Sequence, residues 1–205
     1  MKHAVIFVHP NADSFTASVA RTYAAAAEAL GHTVVTRDLY RIGFNPCLTA
    51  AEIPRENFHA EPDVVAERQL LQDADVFALV YPLWLNAPPA MLKGYLERVF
   101  GFGFAYGGHR HSAEPLLTGR KLIAFSSSGA PLQWVKDTGA MDAIHTLFDE
   151  YFARLCGLTA LDHIHFGGLA PGATEEFVRA RLAEVTKAVD AHFGAPARLH
   201  ERMIS

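Results

Sequence analysis

The sequence contains few cysteines, and its apolar runs are short. Its two cysteines, Cys47 and Cys156, stand far apart and in no metal-ligand spacing. This usage argues against a disulfide framework and against a cysteine-based zinc site. The apolar run 4–8 near the N-terminus is too short for a signal-peptide core or a membrane span. We therefore expect a cytoplasmic protein without an integral membrane segment.

An excess of basic residues is also missing. The chain has 18 Lys and Arg against 22 Asp and Glu, which gives a formal net charge of −4. Such a chain has no broad cationic field to attract a phosphate backbone or an anionic lipid surface. Nucleic acid is therefore not an expected partner.

What the sequence does contain is an alternation of short apolar runs with longer segments of helical period. The runs predict strands at 3–9, 33–37, 76–81, 121–125 and 158–166. The intervening segments predict five helices, at 14–30, 63–72, 89–100, 141–155 and 174–193. Because this alternation is typical of repeated βαβ units, the fold class is α/β with a doubly wound parallel sheet.

The length of 205 residues fits one domain. We predict a single domain over 1–195 and a loosely ordered tail over 196–205. Segment 41–62 holds three prolines and few apolar repeats, which predicts a long surface excursion with at most one helical turn near 49–53.

Ligands of doubly wound sheets bind where strands end, so the loop after the first strand is the first candidate. Loop 9–16 brings an imidazole, hydroxyls and backbone N–H groups to the start of a helix, where an anion such as phosphate is favoured. It contains no glycine, which excludes a Walker A motif and a dinucleotide fingerprint. Simple capping of the helix by Ser14 or Thr16 is the alternative.

Two further loops carry candidate binding groups. Loop 81–89 is bracketed by prolines and offers a flat apolar surface for a planar ligand, with Asn86 at its polar edge. A stiff crossover that buries Trp84 is the alternative. Loop 126–131 offers hydroxyls and backbone donors for the edge of a flat heterocycle, although a plain turn explains the same residues.

A series of short segments in fixed order resembles one known family, the flavodoxin-like NAD(P)H:quinone oxidoreductases. The segments are Val8-His9-Pro10 with Ser14-Phe15, Asp38-Leu39-Tyr40 with Phe44-Asn45-Pro46, 63–67 with Ala74-Asp75, Pro82-Leu83 with 89–94 and 97–100, and Phe104-Ala105-Tyr106. The resemblance covers most of 3–130 and becomes sparse beyond Ala130.

The resemblance implies a flavodoxin-like sheet of strand order 2-1-3-4-5 and a non-covalent flavin, FAD or FMN. NAD(P)H would donate a hydride, and a quinone or similar acceptor would be reduced by two electrons. FAD is favoured over FMN because of the 41–62 excursion and its Asn57-Phe58-His59 stretch. The residues implied for cofactor binding are His9, Ser14, Phe15, Thr16, His59, Pro82, Leu83, Trp84, Leu85, Asn86, Ser127, Ser128, Gly129 and Ala130. Those implied for catalysis are Tyr106, Ser128 and Gly129.

The resemblance also implies a homodimer with shared active sites, in which Tyr106 enters the neighbouring subunit's pocket. The glycine-rich segment 101–108 carries three large aromatics, and we expect no helix or strand to bury them. Met91, Tyr95, Arg98 and Phe102 recur at helical spacing along helix three and its end. They either extend this contact or pack on their own sheet.

Several alternatives stay open. A tyrosine and a histidine proposed for proton transfer in animal members of the family have no match, since Val135 and 139–141 stand there. An azo- or nitro-compound reductase of the same fold, a flavodoxin-type electron carrier, and a regulatory subunit of a potassium efflux transporter are alternative functions. His109 with His111, and His163 with His165, have i, i+2 spacing, but we predict no metal and expect surface or pocket-mouth histidines.

Overall fold

A five-stranded parallel sheet organises the chain in a computed structural model that describes residues 1–53, 58–108, 113–169 and 172–194. The sheet consists of β1 (Lys2–Phe7), β2 (Thr33–Asp38), β3 (Val76–Pro82), β6 (Lys121–Ser127) and β7 (Thr159–Phe166). Its strand order is β2-β1-β3-β6-β7. This confirms the predicted α/β fold, because the core strands follow the order 2-1-3-4-5. A separate antiparallel pair joins β4 (Tyr106–Gly107) to β5 (Glu114–Pro115).

Helices connect the strands and cover the sheet. They are α1 (Phe15–Ala29), α2 (Pro62–Leu71), α3 (Ala90–Val99), α4 (Leu132–Asp137), α5 (Ala140–Ile144), a π-helical segment (His145–Tyr151), α6 (Phe152–Cys156) and α7 (Glu175–Phe193). A 3₁₀ turn at Ala50–Glu52 interrupts the excursion. None of the helices in the described part of the chain has the length and apolar content needed to span a bilayer.

The central strands are buried on both faces because their apolar runs are continuous. Side chains of a strand alternate between faces, so Ile6 and Leu79 join one core cluster while Val5 and Val80 join the other. All seven residues of β3 are buried. Full burial of one aliphatic side chain contributes about 1.5–3 kcal/mol to stability, so the side chains of these strands stabilise the sheet strongly.

Helix α1 begins and ends where the sequence predicts. The Ser14 hydroxyl accepts a hydrogen bond from the Ala17 N–H at 3.2 Å, which makes Ser14 the N-cap residue. Gly31 follows the helix with φ of 78°, a conformation that glycine adopts without steric cost. The capping alternative for Ser14 is thus confirmed, whereas Thr16 lies buried within the first turn.

The single helix predicted over 141–155 is wrong in detail. Helix α4 was not predicted at all, and Gly139 with φ of 72° separates it from α5. The π-helical segment then widens the backbone between α5 and α6. The sequence has no local signal for this change, because π-helical turns are rare and occur mostly as short insertions within α-helices.

A buried ion pair holds the excursion against α3. The Arg98 guanidinium is buried and contacts the carboxylates of Glu52 at 3.0 Å and Asp63 at 2.7 Å. Burial disfavours the charged form of Glu52, yet hydrogen bonds from Arg98 and Thr49 outweigh it and lower the pKa of Glu52. The excursion is therefore anchored, and Arg98 and Tyr95 pack within their own chain instead of extending a subunit contact.

The expectation for the aromatics of 101–108 is also wrong. Tyr106 belongs to β4, and its ring lies 6.3 Å from that of Phe102. Phe104 packs against the buried ring of Phe100 at a centroid distance of 5.9 Å. These aromatics are half-buried because the segment folds back on α3. The predicted tail 196–205 lies outside the described residues.

Candidate functional site

A cavity of about 260 Å³ opens where β1, β3 and β6 end. Its lining residues are His9, Phe15, Thr16, Pro82, Leu83, Trp84, Ser127, Ser128, Gly129 and Leu169. Pro82 and Ser127 are the last residues of their strands and are paired in register. The Leu83 N–H donates to the Ser127 carbonyl at 2.7 Å, so the two loops leave the sheet side by side. The strand order reverses here, which is the usual ligand position in this architecture.

The loop after β1 presents donors to this cavity. His9 Nδ1 lies 3.0 Å from the Asn11 nitrogen and 3.1 Å from the Asn11 carbonyl oxygen, so the backbone of Asn11 holds the imidazole beside the cavity. Phe15 and Thr16 are the first two residues of α1, so their N–H groups have no acceptor within the helix. The loop therefore offers N–H donors and the positive end of a helix dipole to an anion.

The loop after β3 is a tight turn. Only some of its predicted site residues line the cavity. Trp84 and Ala87 exchange backbone hydrogen bonds of 3.0 and 3.1 Å around Leu85 and Asn86. The two central residues have φ of 54° and 56°, the values of a type I′ turn. Trp84 lines the cavity, but Leu85 is fully exposed and neither Leu85 nor Asn86 is a lining residue. The apolar wall is thus shorter than expected.

The loop after β6 is pinned to the segment that follows β7. The Ser128 N–H donates to the Phe166 carbonyl at 2.9 Å, and the Leu169 N–H donates to the Ser128 carbonyl at 3.0 Å. The Gly129 N–H has no acceptor among the described residues, which leaves it free for a ligand. Leu169 itself was not predicted, although the loop after the fifth strand ends at the same edge of the sheet.

A buried group of histidines lies directly behind this loop. Ser126 Oγ lies 2.7 Å from His163 Nε2 and 2.8 Å from His165 Nδ1, and His165 Nε2 lies 2.9 Å from Ser128 Oγ. Burial and the neighbouring His163 lower the pKa of His165 to about 4, so His165 is neutral at pH 7. The expectation of surface or pocket-mouth histidines is therefore wrong for His163, whose side chain is 1% exposed. His109 and His111 lie outside the described residues.

Asp149 joins the histidine group from the π-helical segment. Its Oδ2 lies 2.7 Å from the Nδ1 atoms of both His145 and His163. The ligand atoms of these three residues lie within 4.8 Å of one another, close enough to share a metal ion. Both imidazoles, however, direct Nδ1 at the same carboxylate oxygen. The three side chains are therefore held together by hydrogen bonds, which require no metal ion. The sequence could not indicate Asp149, because it lies 14 residues before His163.

The remaining predicted residues lie outside the cavity lining. The Ser14 hydroxyl caps α1, and the Ala130 carbonyl accepts hydrogen bonds from Gly168 N–H and Ser128 Oγ. His59 belongs to the excursion, where its N–H donates to the Ala51 carbonyl at 3.2 Å. Tyr106 lines a different cavity, of about 200 Å³, between α3 and the helical segments 145–156. Within one chain, the structure does not bring Tyr106 to the Ser128 loop.

Comparison with known proteins agrees with this geometry. The family model described as flavodoxin-like fold matches residues 1–189. An uncharacterized NAD(P)H oxidoreductase of Haemophilus influenzae is 34% identical over 82% of this chain and 85% of its own length. The solved NAD(P)H:quinone oxidoreductase of Methanothermobacter marburgensis is 25% identical, with a TM-score of 0.79 over 92% of this chain and 94% of that one.

A further solved structure supports the fold alone. An FMN-dependent NADH-azoreductase from Bacillus anthracis, in complex with FMN, is 19% identical, with a TM-score of 0.71 over 93% of this chain and 98% of that one. The predicted resemblance is therefore confirmed over nearly the whole described chain. The chain belongs to the flavodoxin-like family of NAD(P)H oxidoreductases.

Proposed function

We propose that the protein binds a flavin non-covalently in the 260 Å³ cavity and uses NAD(P)H to reduce a quinone or similar acceptor by two electrons. One observation carries the proposal: helix N-terminal donors, an apolar wall and a serine loop converge at the point where the strand order reverses. A flavin has a phosphate, a flat ring and a polar ring edge, and each has a matching group here.

The residues divide into three roles. Phe15 and Thr16, with His9 beside them, would hold the phosphate through N–H donors. Leu83 and Trp84 would cover one face of the ring, and Ser127 to Gly129 would meet its polar edge. The chemistry that a bound flavin supplies is acceptance of a hydride from the nicotinamide and delivery of two electrons to the acceptor.

A steady-state experiment tests this function. Because one face of the ring would lie on the wall 82–84, donor and acceptor must use the other face in turn. NADPH oxidation with a soluble quinone should give parallel double-reciprocal lines. Intersecting lines would indicate two separate sites, and failure to bind FAD or FMN on reconstitution would reject the function. Fast NADPH-driven turnover would also exclude the regulatory-subunit alternative.

We propose FAD as the cofactor. The excursion begins against the loop after β1, because the Arg41 guanidinium contacts the Pro10 carbonyl. The Arg98 ion pair with Glu52 anchors the middle of the excursion. The described parts of the excursion, 41–53 and 58–62, thus offer a surface along which an adenine could extend from the phosphate. Chromatography of the cofactor released by acid decides the question, because release of FMN alone would leave His59 without a role at a nucleotide.

We also propose a homodimer in the cytoplasm. The 200 Å³ cavity that holds Tyr106 is bordered by Leu147 and Tyr151, which are 58% and 53% exposed. A second copy of the chain would cover these apolar groups. Tyr106 of one subunit would then approach the Ser128 loop of the other subunit. The free thiols of Cys47 and Cys156 are compatible with a reducing compartment.

A further inference from the structure

An unbroken series of hydrogen bonds runs behind the Ser128 loop, with links of 2.7–2.9 Å. We call its six side chains the polar chain. In order, they are His145, Asp149, His163, Ser126, His165 and Ser128.

The two ends of the polar chain lie in different environments. His145 is 42% exposed and borders a surface cavity of about 330 Å³. Ser128 lines the candidate cofactor cavity. Asp149 and His163 border the same surface cavity, but the His163 side chain and Ser126 are each only 1% exposed, so the middle of the polar chain is shielded by protein. The polar chain therefore connects solvent to the cofactor cavity through protein groups alone.

Strand geometry explains the arrangement. Ser126 lies on β6 and Ser128 directly follows the strand, two residues further on, while His163 and His165 stand two apart on β7. Residues two apart face the same side of a strand, and Ser126 is paired in register with His165. Two hydroxyls and two imidazoles therefore alternate across one pair of strands.

We propose that the polar chain is a proton relay that delivers protons from the solvent at His145 to the Ser128 hydroxyl during acceptor reduction. This inference rests on the proposed flavin function. Hydroxyls and neutral imidazoles each carry one donor and at least one acceptor, which is the property that stepwise proton transfer requires. Apolar side chains at these positions would stabilise the fold without needing buried hydrogen-bond partners. Stability alone therefore does not explain why polar groups stand here.

One set of donors and acceptors that satisfies all of these contacts forms the loaded state of the relay. In this state the Ser128 hydroxyl donates to the Ala130 carbonyl, 3.0 Å away, and accepts from His165 Nε2–H. His165 Nδ1 then accepts from the Ser126 hydroxyl, and Ser126 Oγ accepts from His163 Nε2–H. The loaded state that the relay requires carries one further proton between His163 Nδ1 and Asp149 Oδ2, which lie 2.7 Å apart.

Delivery moves one proton along each link. The Ser128 hydroxyl turns from the Ala130 carbonyl towards the cavity, releases its proton there and takes the Nε2 proton of His165. His165 Nδ1 takes the proton of Ser126, and Ser126 takes the Nε2 proton of His163. His163 keeps the proton on Nδ1 as a neutral imidazole, and Asp149 is left as the carboxylate. His145 returns a proton from solvent to the pair, so that one proton enters for each one delivered. Reorientation of the two hydroxyls and the two imidazoles then restores the starting set of donors.

The charges around the polar chain support this direction. Burial lowers the pKa of His165 to about 4, which keeps it neutral and able to pass a proton. The Tyr81 ring lies 5.9 Å from that of His163, and burial raises the pKa of Tyr81, so it does not compete as an anion. Glu150 and Asp162 border the surface cavity and favour arrival of protons at His145.

Ser126→Ala breaks the polar chain at its centre without changing a lining residue of the cofactor cavity. We expect unchanged flavin content and hydride uptake from NADPH within about twofold. Turnover with quinone should fall about tenfold to a hundredfold at pH 8, where free protons are scarce, and the solvent isotope effect should change. Ser126→Thr keeps a hydroxyl and should restore turnover. Asp149→Asn breaks the outer end and should act in the same direction, with EDTA present throughout to exclude a metal effect.

A second measurement needs no cofactor. In the apo-protein, ¹⁵N NMR of the imidazoles should give His165 as one neutral tautomer with its proton on Nε2, and Ser126→Ala should give a mixture. A mixture in the unaltered protein, or full turnover with an unchanged pH profile in Ser126→Ala, would overturn the relay. Absence of flavin binding would instead reject the proposed function, and the NMR result would still report on the polar chain.

Discussion

At the scale of single residues, His3 is the clearest case of burial controlling charge. It is fully buried in β1, with Nδ1 2.8 Å from the Tyr23 hydroxyl and Nε2 2.9 Å from His32 Nδ1. Burial, reinforced by His32, lowers the pKa of His3 to about 4. Asp75 opposes this shift, and Lys121 adds to it. The folded state therefore holds His3 neutral well below the pH at which an unfolded histidine is charged.

This lowered pKa predicts acid destabilisation. The unfolded chain takes up the proton near pH 6.5 and the folded chain only near pH 4, so the contribution is complete above 6.5 and is lost as the pH falls between these values. It amounts to at most about 3 kcal/mol. Urea denaturation from pH 7 to 4 should give a weaker pH dependence for His3→Gln. Tyr23→Phe should lower stability at every pH and keep the slope, because burial is the main cause.

Leu85 carries local strain at the turn beside the cavity. Its φ of 54° is in the left-handed region, which costs an ordinary side chain about 1–2 kcal/mol, whereas asparagine tolerates it. Because Leu85 is fully exposed, Leu85→Asn loses no core packing. We expect it to raise the free energy of unfolding by about 1 kcal/mol in urea titrations. Leu85→Val should lower it, and equal effects of both variants would contradict the strain argument.

At the scale of elements, α3 depends on one glycine for its packing. A Cβ built on Gly94 would lie 2.1 Å from the Pro46 carbonyl oxygen, so the excursion backbone lies directly on the helix. We expect Gly94→Ala to lower the free energy of unfolding by about 1–3 kcal/mol, despite the better helix propensity of alanine. The control is Lys93→Ala at the exposed neighbouring position, which should change stability by less than about 0.5 kcal/mol. Equal thermal midpoints for the two variants would show that Pro46 yields freely.

The elements that the sequence predicts well are those whose signal is local. Strands β1 and β3 are continuous apolar runs, and α1 has a serine cap and a closing glycine, so each is visible within a few residues. The Arg98 ion pair requires partners 46 and 35 residues away, which no local pattern reveals. The π-helical segment is similarly hidden from local patterns, and in the structure it contacts β7.

In the candidate site, too, local features could be predicted from the sequence and long-range contacts could not. The loops could be predicted because the carboxyl ends of parallel strands share one edge. That Leu85 and Asn86 do not line the cavity could not be predicted, because it follows from the positive φ of both residues. His163 and His165 were noticed for their spacing, but their serine partners become visible only when the β6–β7 register is known.

At the scale of the whole molecule, the exposed apolar face around Leu147 and Tyr151 determines the expected assembly. Both side chains border the cavity that contains Tyr106, and both are more than half exposed. Burying such groups against a second copy contributes about 25 cal/mol per Å² of apolar surface, so a charge placed there opposes association strongly. The cavity at this face and the candidate cofactor cavity have no lining residue in common.

Leu147→Asp should therefore convert a dimer into a monomer while flavin binding is kept. Sedimentation velocity should give a single species of twice the chain mass for the unaltered protein and a monomer for the variant. Leu70→Asp is the matched control, since Leu70 is 41% exposed on α2 and does not border this cavity. If Tyr106 completes the partner's site, the monomer should also lose quinone turnover. A monomer that keeps full turnover would refute the shared site, and an unaltered protein that sediments as a monomer would refute the dimer.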